Sequence, residues 1–275
     1  MRAIQTAPLL LLLVLLAPLL AQDPDDGPRG VLVIVGGGGT TADVRSRALE
    51  LAGGERARIA ILPQASGREG RGESSVEMWR EEGAREVRNL DGLPAREAAG
   101  AIRGADLIWM PGGDQNRLMR ELRELGLVDA VREAYGRGAT VGGTSAGAAV
   151  MSAVMITGRP ERSALAAGNT PTAEGLGLLP DAVVDQHFVA RDRNNRLLSA
   201  VLERPALLGL GVDERTAAIV LPGGRLEVVG DGAVVVYDAR AAEVAEAGEG
   251  QAQGATGLAL HVLRAGMGLA LDPGR

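Results

Sequence analysis

The chain has 275 residues, a formal net charge of -6 and no cysteine. Its charges are scattered without a basic patch, and aromatic residues make up 2% of the chain, which argues against a nucleic-acid partner. Because a chain without cysteine cannot form disulfides, its stability must come from a large aliphatic core. A chain of this length can bury such a core as a single α/β domain.

The N-terminal segment has the three-part layout of a secretory signal peptide. Met1 and Arg2 are followed by an apolar run from Leu9 to Leu20, and Ala21 provides a small residue at a cleavage point. The run is shorter than the roughly 20 residues that span a bilayer. We therefore predict a signal peptide over 1–21, a polar spacer over 22–29, and an exported protein without stable membrane insertion. An uncleaved anchor is the alternative.

Strand-like apolar runs then alternate with amphipathic segments, the pattern of a doubly wound, mostly parallel sheet with flanking helices. Predicted strands are 30–35, 58–62, 86–87, 105–110, 139–142, 182–185 and 207–212. Helices are predicted from about 42, over 74–83 and over 115–137. An antiparallel edge hairpin is predicted from 226–229 and 233–237, followed by a loop or weak helix over 241–256. The predicted fold class is α/β, with 30–275 as a single domain.

The segment Gly143-Thr-Ser145-Ala-Gly147 lies between two apolar runs and has the form of a nucleophile elbow. In such an elbow a strand ends, a serine occupies a sharp turn, and a helix begins beneath it. The flanking glycines avoid collisions at this turn. The first N–H groups of the helix, beginning at Ala146, favour an oxyanion beside the serine. Ser145 is therefore the candidate nucleophile of a serine hydrolase.

A serine nucleophile needs a general base, and the chain offers two histidines. His187 follows an apolar run, at the strand end where parallel sheets carry their catalytic residues, and is the candidate base. His261 is interpreted as a core or edge residue. The carboxylate that orients the base is predicted in Asp213-Glu214, which follows another strand, with a solvated loop as the alternative. Nearby Arg193 and Arg196 are interpreted as a solvated helix face.

Two glycine-rich turns also follow predicted strands. Gly112 and Gly113 are expected to supply a second oxyanion donor, with a simple tight turn as the alternative. Gly36 to Gly39 match a weak dinucleotide-binding pattern, but no acidic residue ends the second strand. Close approach of the backbone to the catalytic crevice explains these glycines equally well.

Six motifs occur in the order found in a known family. They are Val-Ile-Val-Gly-Gly-Gly, Ile-Leu-Pro-Gln-Ala-Ser-Gly, Met-Pro-Gly-Gly-Asp-Gln, Gly-Thr-Ser-Ala-Gly-Ala, Asp-Gln-His-Phe and Gly-Val-Asp-Glu-Arg-Thr-Ala. In this combination, over about residues 30–237, the chain resembles the cyanophycinase group of serine peptidases, which are related to aspartyl dipeptidase. The resemblance implies a fold like that of the class I glutamine amidotransferases. It also implies a homodimer that needs no metal or cofactor.

The resemblance implies roles for individual residues. Ser145 would be the nucleophile, His187 the base and Glu214 the acid that orients it. The oxyanion would lie near Gly112, Gly113 and Ala146. The residues that would contact substrate are Asp114, Gln115, Asp185, Gln186 and Arg191.

The predicted function is a serine exopeptidase for aspartyl-linked peptides. The substrate implied is cyanophycin, a poly-aspartate with arginines on its β-carboxyls, which would be cleaved to β-Asp-Arg dipeptides. Residues 38–41 lack the acidic residue that many relatives carry, and residues 191–195 are unusually charged. The alternatives are therefore an α-aspartyl dipeptidase, another isoaspartyl peptidase, and a non-catalytic binding protein of the same fold.

Overall fold

The computed structural model describes residues 30–158 and 165–271. The predicted signal peptide and spacer lie outside the described residues. In chain order the strands are β1 Val31–Val35, β2 Arg58–Ile61, β3 Glu86–Asn89, β4 Leu107–Met110, β5 Thr140–Thr144, β6 Val154–Ile156, β7 Thr172–Glu174, β8 Ala182–Gln186, β9 Leu208–Val212, β10 Thr216–Val220, β11 Arg225–Gly230, β12 Ala233–Asp238, β13 Glu243–Val244, β14 Ala255–Thr256, β15 Ala259–Arg264 and β16 Gly268–Ala270.

The helices are α1 Ala42–Leu51, α2 Glu73–Glu81, α3 Ala95–Gly104, α4 Gln115–Glu124, α5 Val128–Gly136, α6 Ala146–Ala149 and α7 Asn194–Glu203, with a 3₁₀ turn at Gly54–Arg56. Within the described ranges, no helix is long and apolar enough to cross a membrane.

The larger sheet has eight strands in the order β16-β11-β10-β1-β5-β4-β2-β3. The pairings from β1 through β5, β4 and β2 to β3 are parallel. Strands β10, β11 and β16 extend the sheet on the other side of β1 with antiparallel pairings. Every residue of β1 is buried, as a strand covered on both faces requires.

Successive side chains of β1 point to opposite faces of this sheet. Val33 packs in a cluster with Val44 of α1 and Trp79 of α2. Ile34 belongs to a larger cluster on the other face, which also contains Leu118 of α4. The mostly parallel sheet with helices on both faces confirms the predicted α/β class.

A second sheet has four strands in the order β15-β12-β9-β8, with β8 and β9 parallel. Its strands share the larger core cluster with the eight-stranded sheet, so Leu210 of β9 and Ile34 of β1 lie in one cluster. Helix α7 covers the opposite face of this second sheet, where Leu197 packs in a cluster with Phe188.

The predicted hairpin of 226–229 and 233–237 is wrong in its pairing. These segments form β11 and β12, but β11 pairs with β10 and β16, whereas β12 pairs with β9 and β15. The chain therefore passes from one sheet to the other at this turn. The antiparallel hairpin beside β1 is instead β10–β11, and β10 is absent from the predicted strands.

Candidate active site

Ser145 lies between β5 and α6, where the predicted elbow is found. Its backbone has φ 54° and ψ -110°, a conformation that residues with a side chain adopt at a cost. A Cβ on Gly143 would lie 2.6 Å from the carbonyl carbon of Gly147, and one on Gly147 would lie 1.9 Å from the Met110 oxygen. Both positions must therefore be glycine for the turn to close.

His187 and Glu214 follow β8 and β9, which are parallel neighbours, so both side chains emerge at the same edge of the second sheet. Ser145 Oγ is 2.9 Å from His187 Nε2. His187 Nδ1 is 2.5 Å from Glu214 Oε1. With Nδ1–H donating to the carboxylate, Nε2 is free to accept the serine proton.

Burial controls the charge of His187, which is 7% exposed. Desolvation lowers its pKa below the ordinary value of 6.5. The hydrogen bond to Glu214 acts in the opposite direction, and the positive charges of Arg191 and Arg193 add to the lowering. The net shift is downward, which favours the neutral imidazole that can take a proton.

The end of β1 and the glycine loop after it hold the segments that carry these side chains. Three successive carbonyls accept backbone hydrogen bonds: Val35 from Ser145 at 3.0 Å, Gly36 from His187 at 2.7 Å, and Gly37 from Arg215 at 2.7 Å. The loop therefore joins contributions from both sheets.

Two of the loop glycines lie directly against the proposed base and acid. A Cβ on Gly37 would lie 2.3 Å from the His187 ring, and one on Gly38 would lie 2.7 Å from the Glu214 side chain. Close approach of the backbone to these two side chains therefore accounts for glycine at both positions.

The second glycine turn lies next to the serine. A Cβ on Gly112 would be 3.4 Å from the Ser145 Cβ. Gly113 has φ 149°, and the position of its Cβ would be 2.3 Å from the Ala65 carbonyl oxygen. Ala146 opens α6, where an N–H has no partner inside the helix. In the described part of the chain, neither the Gly113 nor the Ala146 N–H donates to a backbone carbonyl.

The first two predicted substrate contacts make structural hydrogen bonds at the start of α4. Asp114 caps the helix, and its Oδ1 accepts from the backbone N–H groups of Asn116 at 2.8 Å and Arg117 at 3.0 Å. Gln115 Nε2 donates to the carbonyls of Ile156 and Thr157. These bonds fix the N-terminus of α4 beside the Gly112-Gly113 turn.

Asp185 is buried at the end of β8 and pairs with an arginine of α7. It is 1% exposed, and its carboxylate accepts from Arg196 Nε at 2.6 Å and from Arg196 Nη2. Arg193 Nη1 donates to the Gln186 carbonyl at 2.6 Å. The interpretation of Arg193 and Arg196 as a solvated helix face is therefore wrong. This buried pair joins α7 to the end of β8.

The last two predicted substrate contacts, Gln186 and Arg191, lie on either side of His187 in the chain. Gln186 Oε1 lies 3.4 Å from Ser145 Oγ, and the residue is 5% exposed. Arg191 is exposed, and its backbone N–H donates to the His187 carbonyl at 3.1 Å. His261 lies on the edge strand β15, as expected.

Asp213 makes contacts that were not predicted from the sequence. Its Oδ1 accepts from the N–H groups of Val189 at 3.1 Å and Ala190 at 3.0 Å, so it holds the turn that follows His187. Within residues 30–158 and 165–271, no group of three or more metal-ligating side chains is placed to hold a metal ion.

An α/β fold in which an elbow serine is hydrogen-bonded to a histidine, and that histidine to a carboxylate, has the arrangement of a serine hydrolase. The model of peptidase family S51 matches residues 32–229. The chain belongs to peptidase family S51 and is a serine-type peptidase.

The similarity of this chain to curated cyanophycinases is consistent with its assignment to the family. A cyanophycinase of Geminocystis herdmanii is 38% identical over 236 residues, which cover 81% of this chain and 84% of the relative. A cyanophycinase of Thermosynechococcus vestitus is 36% identical over 242 residues, which cover 81% of this chain and 74% of the relative.

Solved structures agree in fold. A peptidase from an acI-B1 Actinobacterium has a TM-score of 0.61 and 25% identity, with 90% of this chain and 98% of that chain covered. A putative peptidase E from Listeria monocytogenes has a TM-score of 0.54 and 18% identity, with 74% of this chain and 99% of that chain covered. It resembles this chain in fold.

The prediction of export is contradicted by these relatives. The matching cyanophycinases are cytoplasmic enzymes of cyanobacteria, so the apolar N-terminal run does not identify an exported protein.

Proposed function

We propose that this peptidase is an exopeptidase that hydrolyses cyanophycin and releases β-Asp-Arg dipeptides. The observation that carries the proposal is the similarity to cyanophycinases over most of both chains. The hydrogen-bonded arrangement of Ser145, His187 and Glu214 supports a hydrolytic mechanism over a role as a binding protein. The proposed assembly is a homodimer, which sedimentation of the purified chain would test.

Ser145 is the proposed nucleophile. His187 Nε2 accepts the hydroxyl proton as Oγ attacks the carbonyl carbon of the scissile bond. Glu214 accepts the Nδ1–H bond throughout and stabilises the imidazolium that forms. The lowered pKa of His187 keeps the ring neutral before attack.

The tetrahedral intermediate carries its negative charge on the former carbonyl oxygen. The N–H groups of Gly113 and Ala146, beside Gly112, are the proposed donors to this oxyanion. His187 then gives its proton to the leaving amine, which departs and leaves an acyl-enzyme on Ser145. Water, deprotonated by His187, hydrolyses the acyl-enzyme and regenerates the serine.

Ser145→Ala tests this proposal. Turnover of cyanophycin should fall by several orders of magnitude, because loss of a triad nucleophile leaves only the oxyanion contacts and substrate binding. Release of β-Asp-Arg is followed by mass spectrometry, and a far-ultraviolet circular dichroism spectrum verifies the fold. Ser74→Ala, an exposed serine on α2, is the matched control and should retain full activity.

The substrate is tested by assaying the wild-type chain on cyanophycin and on α-Asp-X dipeptides in parallel. Hydrolysis of the dipeptides without hydrolysis of cyanophycin would contradict the proposed substrate. Full activity of Ser145→Ala would contradict the proposed nucleophile.

A further inference from the structure

Arginines that are at least partly buried pair with carboxylates throughout the described part of the chain, with one exception. The paired ones are Arg45, Arg47, Arg71, Arg193, Arg196 and Arg204. Arg117 is also partly buried, yet within the described residues its guanidinium makes no ion pair and no hydrogen bond.

The placement of Arg117 is unfavourable for folding on two grounds. Taking an arginine side chain partly out of water without a carboxylate partner costs free energy. Arg117 also lies in the first turn of α4, where the helix dipole disfavours a positive charge. Local features that oppose stability in this way are concentrated at functional sites.

The Arg117 guanidinium lies against the loop that follows β2. Its Nη1 lies against Gly67, because a Cβ on Gly67 would be 1.8 Å from that nitrogen. The loop that carries Gly67 also contacts the proposed oxyanion turn, where the Asp114 N–H donates to the Ala65 carbonyl at 2.9 Å. The guanidinium therefore lies next to the loop that supports Gly113.

We infer that Arg117 binds a free carboxylate of the peptide substrate. This inference rests on the proposed function and extends it to substrate selection. A cyanophycin chain offers two kinds of carboxylate, the terminal one of the backbone and the α-carboxylate of each arginine. A guanidinium forms two parallel hydrogen bonds with either. The bound carboxylate replaces the missing ion pair and fixes the substrate relative to Ser145.

Arg117→Gln tests the inference in steady-state kinetics with synthetic peptides of several β-Asp-Arg units. Three forms are compared: all carboxylates free, the backbone terminus amidated, and the arginyl α-carboxylates amidated. Loss of a charged hydrogen bond should raise KM at least about tenfold while kcat changes little. Arg120→Gln, an exposed arginine one turn along α4, is the matched control and should behave as wild type.

The amidated peptides identify the carboxylate. One amidation should raise the wild-type KM about as much as Arg117→Gln does, and should have no further effect on the variant, since both remove the same contact. An unchanged KM in Arg117→Gln, or a variant that keeps the full penalty for both amidations, would overturn the inference. Gly67→Ala should reproduce the Arg117→Gln phenotype, because the added methyl displaces Nη1.

A binding measurement separates this inference from the proposed function. Calorimetry compares binding of the β-Asp-Arg dipeptide to Ser145→Ala and to Ser145→Ala/Arg117→Gln. Weaker binding to the double variant supports the role of Arg117 even if the wild-type chain hydrolyses no cyanophycin. Equal binding, or no binding to either variant, would overturn it.

Discussion

The His187 imidazole experiences two opposing influences. Burial removes water from around the ring and lowers its pKa, whereas the hydrogen bond to Glu214 favours the protonated form. Arg191 and Arg193 add positive charge and lower the pKa further. Because the shift is downward overall, the ring stays neutral to a lower pH than an exposed histidine would. The acid limb of activity should therefore lie below pH 6.5.

Arg191→Gln should move this acid limb to higher pH. Removing the positive charge relieves part of the lowering, so the His187 pKa rises and the ring becomes protonated at a higher pH. The measurement is the rate at which a fluorophosphonate probe labels Ser145 as a function of pH, which does not depend on peptide binding. Arg264→Gln, an exposed arginine on β15, is the control. A limb that stays in place or moves to lower pH would contradict this account.

At the scale of elements, backbone strain is concentrated where strands end at the site. The non-glycine residues with positive φ in the described part of the chain are Ser145, His187, Asp192 and Arg215. Such conformations cost on the order of 1–3 kcal/mol each. Carbonyls of Val35, Gly36 and Gly37 hold three of these residues through backbone hydrogen bonds. The glycine loop after β1 is therefore the element that keeps the backbone of Ser145 and His187 in place.

Gly37→Ala should reduce labelling of Ser145 far more than Gly39→Ala does. The two positions have φ of 108° and 105°, so an alanine is strained equally at both. A Cβ at Gly37 would collide with the His187 ring at 2.3 Å, whereas a Cβ at Gly39 meets nothing within 4 Å. Labelling rates and thermal midpoints of the two variants are compared. Equal losses would show that backbone strain, and not ring displacement, is responsible.

Much of the layout was predictable from local pattern. Continuous apolar runs predicted β1, β2, β4, β8 and β9, and polar residues at their ends predicted which groups meet at the site. Strand partners were less predictable, because β11 and β12 are both apolar and their partners lie elsewhere in the chain. Helix α3 was missed because its buried face consists of Ala98 and Ile102 alone.

The roles of the arginines depend on side-chain direction, which spacing does not determine. Arg196 turns inward to Asp185, and Arg117 turns toward Gly67, while Arg191 stays exposed. Nothing in their sequence context separates these three environments. The charged segment after His187 therefore could be located from the sequence, but its division into buried and exposed arginines could not.

At the scale of the molecule, the site spans two sheets that share one core. The eight-stranded sheet supplies Ser145 and the glycine loop, and the four-stranded sheet supplies His187 and Glu214. Ile34 of the eight-stranded sheet and Leu210 of the four-stranded sheet belong to the same core cluster. The geometry of the site therefore depends on the packing of one sheet against the other, and we propose that they unfold together as a single domain.

Leu210→Ala should lower the free energy of unfolding by about 2–5 kcal/mol, because it leaves a cavity between the sheets. In urea, fluorescence of Trp79 and Trp109 reports the eight-stranded sheet, and labelling of Ser145 requires His187 from the second sheet. The two signals should be lost in one transition, shifted to lower urea in the variant. Leu260→Ala, whose side chain is 56% exposed on β15, should leave the midpoint unchanged. Loss of labelling at a urea concentration well below that of the fluorescence change would mean that the second sheet unfolds separately.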